Sequence, residues 1–474
     1  METFITSANR GSISTGYDID NSVKLEDTNN EYLQRPASGS DGSRTTMTLS
    51  MWIKRTQPGN DHIFYSQGSH VRFRWKSSDY FSLRLANGHE FEHQARLFRD
   101  PSAWYHLVVA IDTTQGTASN RVKIYWNGEQ ETNLPDENSP PDQNEQLTLG
   151  QFSSVTTQLG WFVEGGYGLD GYISEVNYID GIQQAPTEFG EFDSTSGIWK
   201  PIEYTGSYGN EGFYLNFDNS GSLGADSSGN GNNFNLNNIA AADQSTDTPT
   251  NNFCTLNPLF AGFQSTVRLP VDGATKYGIS GGNQDLSYAG TMGVTKGKWY
   301  YENYINEVDS TYGARIYVGF HTFQDDYDGV QYGASTKGNA IAVWQMDAGN
   351  YVAWNGGSRS ITGSLGTVSS SGAGKFVGIA LNLDDNQISF YYDGSAITNG
   401  SNLALYNMGT QTDAGTFAIP VVQTKGSLQS VNFGGYVGAT ISSAQTDANG
   451  YGTFEHAPPS GYYALCSKNL AEYG

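Results

Sequence analysis

The chain has 474 residues with 48 acidic and 25 basic side chains, a formal net charge of −23, and 15% charged residues in total. A surface of that sign repels duplex DNA and anionic headgroups. No apolar run approaches the roughly 18 residues of a membrane helix, so neither nucleic-acid binding nor membrane insertion is expected. The length is too great for one ordinary core, and two or three domains are expected. With 13% aromatics, 30 Tyr and 58 Gly, the composition favours short strands joined by turns over helices, which use more Ala, Leu, Glu and Lys.

The start, METFITSANRGSISTG, has no basic region followed by an apolar stretch, so no Sec signal is expected. Residues 1–40 hold no sustained period and read as an arm or edge segment. In TMTLSMWIKR, Met47, Leu49, Met51 and Ile53 alternate with polar residues and Trp52, the mark of a half-buried strand. Val71, Phe73 and Trp75 alternate likewise, then Phe81, Leu83 and Leu85. Asn87-Gly88 is a hairpin turn, since a type I′ turn needs positive φ at both positions. WYHLVVAIDT is apolar on both faces, and VKIYWNGE gives Val122, Ile124 and Trp126 before a second turn at Asn127-Gly128. LDGYISEVNYIDG closes this region near Gly181. Strands and turns at this spacing predict a β-sandwich over 41–190.

Residues 191–262 are richer in Asn, Gly, Ser and Asp, with one clear short strand, Phe213 to Phe217. From about Val294 strands return: GKWYYENYI, RIYVGF, AIAVWQM, KFVGIALNL, QISFYYDG, FAIPVVQ and SVNFGG. No convincing amphipathic helix occurs. The fold class is therefore all-β, with two β-sandwich domains, 41–190 and 263–474, joined by the turn-rich segment 191–262.

Within that joint, side-chain oxygens recur at Asp226, Ser228, Asn230 and Asn232, the alternation of a calcium loop. The bidentate acid expected further along is missing, so a run of Asx turns is the favoured reading. Leu223, Phe234 and Leu236 predict that the joint docks on a sandwich. In HEFEH, His89 and His93 lie on a strand, which sets their rings roughly 13 Å apart at about 3.3 Å per residue and rules out a shared zinc. GISGG, Gly278 to Gly282, fits a nucleophile motif by letter only, for no strand-to-helix turn is predicted there. Cys254 and Cys466 are expected as buried thiols, and their pairing is left open.

WYHLVVAIDTTQGTASNRVKIYWNGE and LDGYISEVNYIDG resemble the laminin-G-like, concanavalin A-like jelly roll over residues 41–185. GKWYYE, RIYVGF, FVGIALNLDDNQISFYYDG and FAIPVVQ with VNFGG resemble a SPRY domain over 280–470. WKPIEYTGSYGNEGFYLNF, LGADSSGNGNNF, DTPTNNFCTLNPL and YYALCSKNL resemble segments of tail-fibre and other virion surface proteins of marine bacteriophages.

The first resemblance implies a rim calcium, for which Asp170 and Glu175 are the nearest acids. A turn and an exposed face are their plainer roles. The SPRY resemblance implies a binding rim formed by loops. FQDDYDG, with Asp325, Asp326 and Asp328 beside Tyr327, falls there, as do Trp344 and Trp354. Flat aromatic faces stack on sugar C–H surfaces, so Tyr327, Trp344, Trp354, Asp326 and Asp328 are the candidate ligand residues. The phage resemblance implies a virion protein made in the host cytoplasm. It would bind a host-surface glycan or receptor without catalysis, and would meet other virion proteins through residues 1–40. Homo-oligomers, often trimers, are implied, and calcium is the one cofactor considered. Two alternatives stay open: a head-decoration or tail-adaptor protein, and a glycan depolymerase using two acids about 5–9 Å apart.

Overall fold

The computed structural model describes residues 16–85, 88–132, 140–162, 164–261, 268–279, 285–308, 315–322, 340–347, 350–355, 358–363, 372–397, 401–405 and 417–474, giving the strands between 340 and 363 by their backbone alone. Almost all regular structure among these residues is strand, with one α-helix, Ser467–Tyr473. The chain divides between Asn251 and Asn252 into two units, each built on a pair of sheets whose strands run antiparallel apart from Tyr463–Ala464, which lies parallel to Lys298–Val308 in the second unit.

In the first unit, one sheet orders Glu129–Gln130, Val122–Trp126, Trp104–Asp112, Thr46–Arg55, Gly171–Asp180, Ser22–Leu25 and Gln244–Ser245, with Phe213–Leu215 also on Gly171–Asp180. The other orders Asn235–Asn237, Tyr32–Arg35, Thr157–Leu159, His62–Gln67, Val71–Trp75, Phe81–Arg84 and Glu90–His93. Between them lies one apolar core containing Leu49, Ile53, Phe73, Leu83, Trp126 and Ile173. The core side of the second sheet follows from pleat and register. Leu33, Leu159, Tyr65, Phe73, Leu83 and Phe91 stand opposite one another across six strands and point inward.

Residues of the segments 16–40 and 191–251 are woven into this unit. Ser22–Leu25 and Tyr32–Arg35 join opposite sheets, and Asn235–Asn237 pairs with Tyr32–Arg35. Leu223 and Phe234 enter the core, while Leu236 stays partly exposed at 37%. Three buried cations fasten the later segment. The Lys24 ammonium meets Glu31 at 2.8 Å and Asp243 at 3.0 Å. Lys54 meets Asp247 at 2.6 Å, and the same carboxylate accepts the Trp104 indole N–H at 3.0 Å. Arg35 binds the Glu211 carboxylate and donates to the Asn232 side-chain oxygen at 2.7 Å. At Gly224 a Cβ would stand 2.0 Å from the Phe234 carbonyl oxygen, so only glycine permits that approach.

The second unit places Leu256–Ala261, Asp285–Gly290, Ala418–Lys425, Arg315–Thr322, Ala340–Asp347, Asn350–Asn355 and Ser358–Gly363 in one sheet. Lys276–Gly278, Ser427–Asn432, Lys298–Val308, Phe376–Asn382, Gln387–Tyr392 and Ser395–Ala396 form the other. Trp299, Tyr301, Ile316, Phe390 and Val422 fill the space between. The unit's first and last segments meet. Cys254 N–H donates to the Leu465 carbonyl at 2.9 Å, and Asn252 N–H donates to Ser467 Oγ at 3.0 Å. Cys254 and Cys466 are both buried thiols.

Removing one partner of a buried ion pair costs about 3–5 kcal/mol, because the other charge stays buried. Asp247→Ala should therefore destabilise the first unit by that amount in urea denaturation, and Lys54→Met in the same background should recover part of it.

A candidate binding face on the first sandwich

The alternation that sends Phe73 and Leu83 inward sends their neighbours outward. Across the second sheet those neighbours form one continuous row. Asn235 stands opposite Gln34, Gln34 opposite Gln158, Gln158 opposite Ser66, Ser66 opposite Arg72, Arg72 opposite Arg84, and Arg84 opposite Glu90. Seven strands each contribute one polar side chain, and strands about 4.8 Å apart make such a row about 29 Å long. The amide end is linked internally, with Gln158 Nε2 donating to Gln34 Oε1 at 3.3 Å and Ser66 Oγ to Gln158 Oε1 at 3.5 Å. A parallel file, Arg74, Ser82 and Glu92, runs beside it.

An aromatic hairpin borders this face. Trp161–Phe162 pairs with Tyr167–Gly168, and Ser66 Oγ donates to the Trp161 carbonyl at 2.7 Å, which ties the hairpin to the sheet. Trp161 stacks on Tyr32 with centroids 5.5 Å apart, and the Arg72 guanidinium lies 4.9 Å from the centre of the Phe162 ring. Ser66, Gln158, Ser82 and Glu92 are buried, so the side chains of these two files that reach solvent are those of Asn235, Gln34, Arg72, Arg74, Arg84 and Glu90. Amide, guanidinium and carboxylate groups beside an aromatic ring match the needs of a carbohydrate, whose hydroxyls pair in both directions and whose C–H faces stack. The two carboxylates are engaged by cations: Glu90 faces Arg74 at 3.6 Å, and Glu92 binds Lys76 and, at 3.1 Å, the Tyr80 hydroxyl.

The residues singled out from the sequence fall elsewhere. Tyr327, Asp326 and Asp328 lie outside the described residues. Ser280 of GISGG lies there too. Trp344 and Trp354 sit on adjacent strands, opposite Ala353 and Val343 respectively, and only their backbone is described. Asp226 Oδ1 accepts the backbone N–H groups of Tyr214 and Ser228, both at 2.9 Å, and Oδ2 accepts that of Asn232 at 2.8 Å. The Asn230 and Asn232 side-chain amides donate to the Gly212 carbonyl at 2.9 and 2.8 Å, and Ser228 Oγ accepts the Asn230 N–H at 3.3 Å. Among the described residues no group of three or more His, Cys, Asp and Glu side chains is arranged to hold a metal ion. His89 and His93 take separate carboxylates, Glu145 at 3.0 Å and Glu131 at 2.6 Å.

Asp170 accepts the Asp27 N–H at 2.9 Å and faces His62 at 3.3 Å. Burial drives the Asp170 carboxyl up, but the bond from His62 and those beside it leave it below its usual range. Glu175 is buried, not exposed as its strand position implies. A bulge between Ser174 and Asn177 breaks the alternation and holds Glu175 at φ +50. Its carboxyl accepts the Tyr17 hydroxyl at 3.0 Å and the Tyr214 hydroxyl at 2.8 Å. Burial pushes its pKa up to about 7 against those two bonds, with Glu203 adding repulsion. Glu302 in the second unit is likewise raised to about 7 by burial, although Glu455 N–H, His456 N–H, Tyr300 and Asn432 all donate to it.

Residues 27–182 match a laminin G family described as the Concanavalin A-like lectin/glucanases superfamily. That match fits the β-sandwich fold of the first unit. The comparison with curated proteins finds no match. Among solved structures, the chain is similar to domains LG4-5 of the mouse laminin alpha1 chain, at 10% identity and TM-score 0.28, over 94% of this chain and 97% of that one. It is also similar to the SPRY domain of human HERC1, at 19% identity and TM-score 0.25, over 37% of this chain and 96% of that one. A third is the native heptameric SAP-like pentraxin from Limulus polyphemus, at 16% identity and TM-score 0.26, over 36% and 80%.

Two outcomes test these side-chain roles. Asp226→Ala frees three backbone donors, so it should lower the melting temperature and open Gly229–Gly231 to protease, whereas EDTA should leave the wild-type protein unchanged. Glu175 titrates near 4.5 when unfolded and about 7 when folded, so its stabilising effect is whole below pH 4.5 and is lost as pH rises through 7. That loss is on the order of 3 kcal/mol. Glu175→Gln should match wild type at pH 5 and exceed it at pH 8 in thermal denaturation.

Proposed function

We propose that this protein is a bacteriophage virion surface protein, a tail fibre, that holds a host-surface glycan along the polar face of its first sandwich without cleaving it. The observation that carries the reading is the seven-strand polar row flanked by the Trp161–Tyr32 stack. The concanavalin A-like match over 27–182 supports it, since that superfamily includes lectins. The virion assignment is supported by the resemblance of WKPIEYTGSYGNEGFYLNF and the segments around it to phage surface proteins. On this reading the protein is made in the host cytoplasm and displayed on the particle. Residues 16–40 carry strands of the first sandwich and are not the attachment arm expected from the sequence. The protein meets other virion proteins, and homo-oligomers such as trimers present several copies. Asp326, Tyr327, Asp328, Trp344 and Trp354 are proposed as further ligand residues on the strength of the SPRY resemblance alone.

A single sugar contact binds at about millimolar strength, worth roughly −4 kcal/mol. Several copies on one particle raise the effective affinity by orders of magnitude where geometry lets them engage together. The test is binding of the full-length protein to host cells, competed by the soluble host polysaccharide. Tyr32→Ala and Gln34→Ala, at half-buried positions of the face, should each weaken binding about tenfold, a loss of about 1.4 kcal/mol. No reducing ends should appear in the polysaccharide. Binding that survives both substitutions would defeat the reading. Immunogold labelling of particles separates a fibre from a head-decoration protein.

A further inference from the structure

Charge is distributed unevenly on the polar face. The chain carries a net −23 and only 25 basic residues, yet Arg72, Arg74 and Arg84 occupy adjacent positions on two neighbouring strands. Arg72 stands directly opposite Arg84, and Arg74 follows Arg72 on the same face of its strand. Like charges placed opposite one another in an antiparallel pair destabilise a sheet, and nothing in the strand pattern requires arginine there. Lys76 adds a fourth cation at the edge, where it is taken by Glu92.

The carboxylates nearby do not balance this group. Glu90 reaches Arg74 at 3.6 Å while also accepting the Ser82 hydroxyl at 3.1 Å, and Glu92 is occupied by Lys76 and Tyr80. The Nε atoms of Arg72 and Arg74 are both buried and meet no hydrogen-bond partner. The Arg72 guanidinium lies over the Phe162 ring, 4.9 Å from its centre, which helps to hold it in place. Burial and then the charges of Arg74 and Arg84 lower the Arg72 pKa, with Tyr167 and Glu90 opposing.

Resting on the glycan reading above, we infer that the ligand is an anionic polysaccharide whose carboxylate or sulfate groups are received by Arg72, Arg74 and Arg84. The neutral parts of its sugars lie toward Gln34, Asn235 and the Tyr32 ring, which reach solvent on the same sheet. A guanidinium fork matches either planar carboxylate or sulfate oxygens in a bidentate pair, and a bound anion relieves the repulsion that the register imposes.

The experiment measures binding of the full-length protein to dextran, dextran sulfate and polygalacturonate, with salt varied. At least one polyanion should bind ten times or more tightly than dextran, and more weakly as salt rises. The sulfate and uronate arms tell which group is preferred. Arg72→Gln combined with Arg84→Gln should remove that preference and flatten the salt dependence with the melting temperature held or raised, while Lys123→Gln on the other sheet changes neither. Preference for a polyanion that survives the double substitution would overturn the inference. Equal binding of all three polymers, lost in Tyr32→Ala, would overturn it and leave the glycan reading standing. Failure of every polymer, together with host-cell binding that Tyr32→Ala does not alter, would defeat both.

Discussion

Lys54 is wholly enclosed in the first unit, and its ammonium is held by a carboxylate almost two hundred residues later in the chain, Asp247. A buried ammonium without such a partner costs several kcal/mol, so the strand Thr46–Arg55 and the segment near 247 are obliged to fold together. Lys24 with Asp243 and Arg35 with Glu211 repeat the arrangement. These three pairs explain why a stretch rich in Asn and Gly is not a tether. Its acids are the counter-ions of cations inside the sheets, and its apolar residues Leu223 and Phe234 complete the same core. Part of the chain's acidity is thus spent internally, and the face with the arginines is left as a local exception to the overall sign.

The second sheet shows how little separates core from outer face. Each outward polar residue is one position from an inward apolar one: Gln34 from Leu33, Gln158 from Leu159, Ser66 from Tyr65, Arg72 from Phe73, Arg84 from Leu83 and Glu90 from Phe91. A slip of one residue in any pairing would exchange the two faces. The apolar packing that fixes the register therefore also fixes the order of the polar row.

Much of the fold was legible because alternation is a local signal. Val71, Phe73 and Trp75 announce a strand, and the intervening Arg72 and Arg74 announce its outer face. That Arg84 lies opposite Arg72 depends on pairing across a turn, which no single strand reveals. Ser22–Leu25 was hidden for another reason: it has four residues, all buried, and one of them is Lys24, so it shows neither length nor period. Glu175 read as exposed because strict alternation was assumed, and the bulge at Ser174–Asn177 breaks it. The docking of the joint was readable from Leu223 and Phe234. The acidic loop at Asp326–Asp328 and the two tryptophans rested on a family resemblance, and they are not part of the polar row.

The pitch of that row is set by backbone hydrogen bonding. Adjacent strands repeat every 4.8 Å or so whatever side chains they carry. An extended polymer of sugars, the ligand proposed above, advances by a comparable step per residue, so ligand and sheet would share a period. A chain laid along it would shift by one unit and recover most of its contacts, as a rack moves past a pinion. On the proposed function, grip of this kind would permit sliding without release, and a particle bearing it would search a coated surface before it commits to one place.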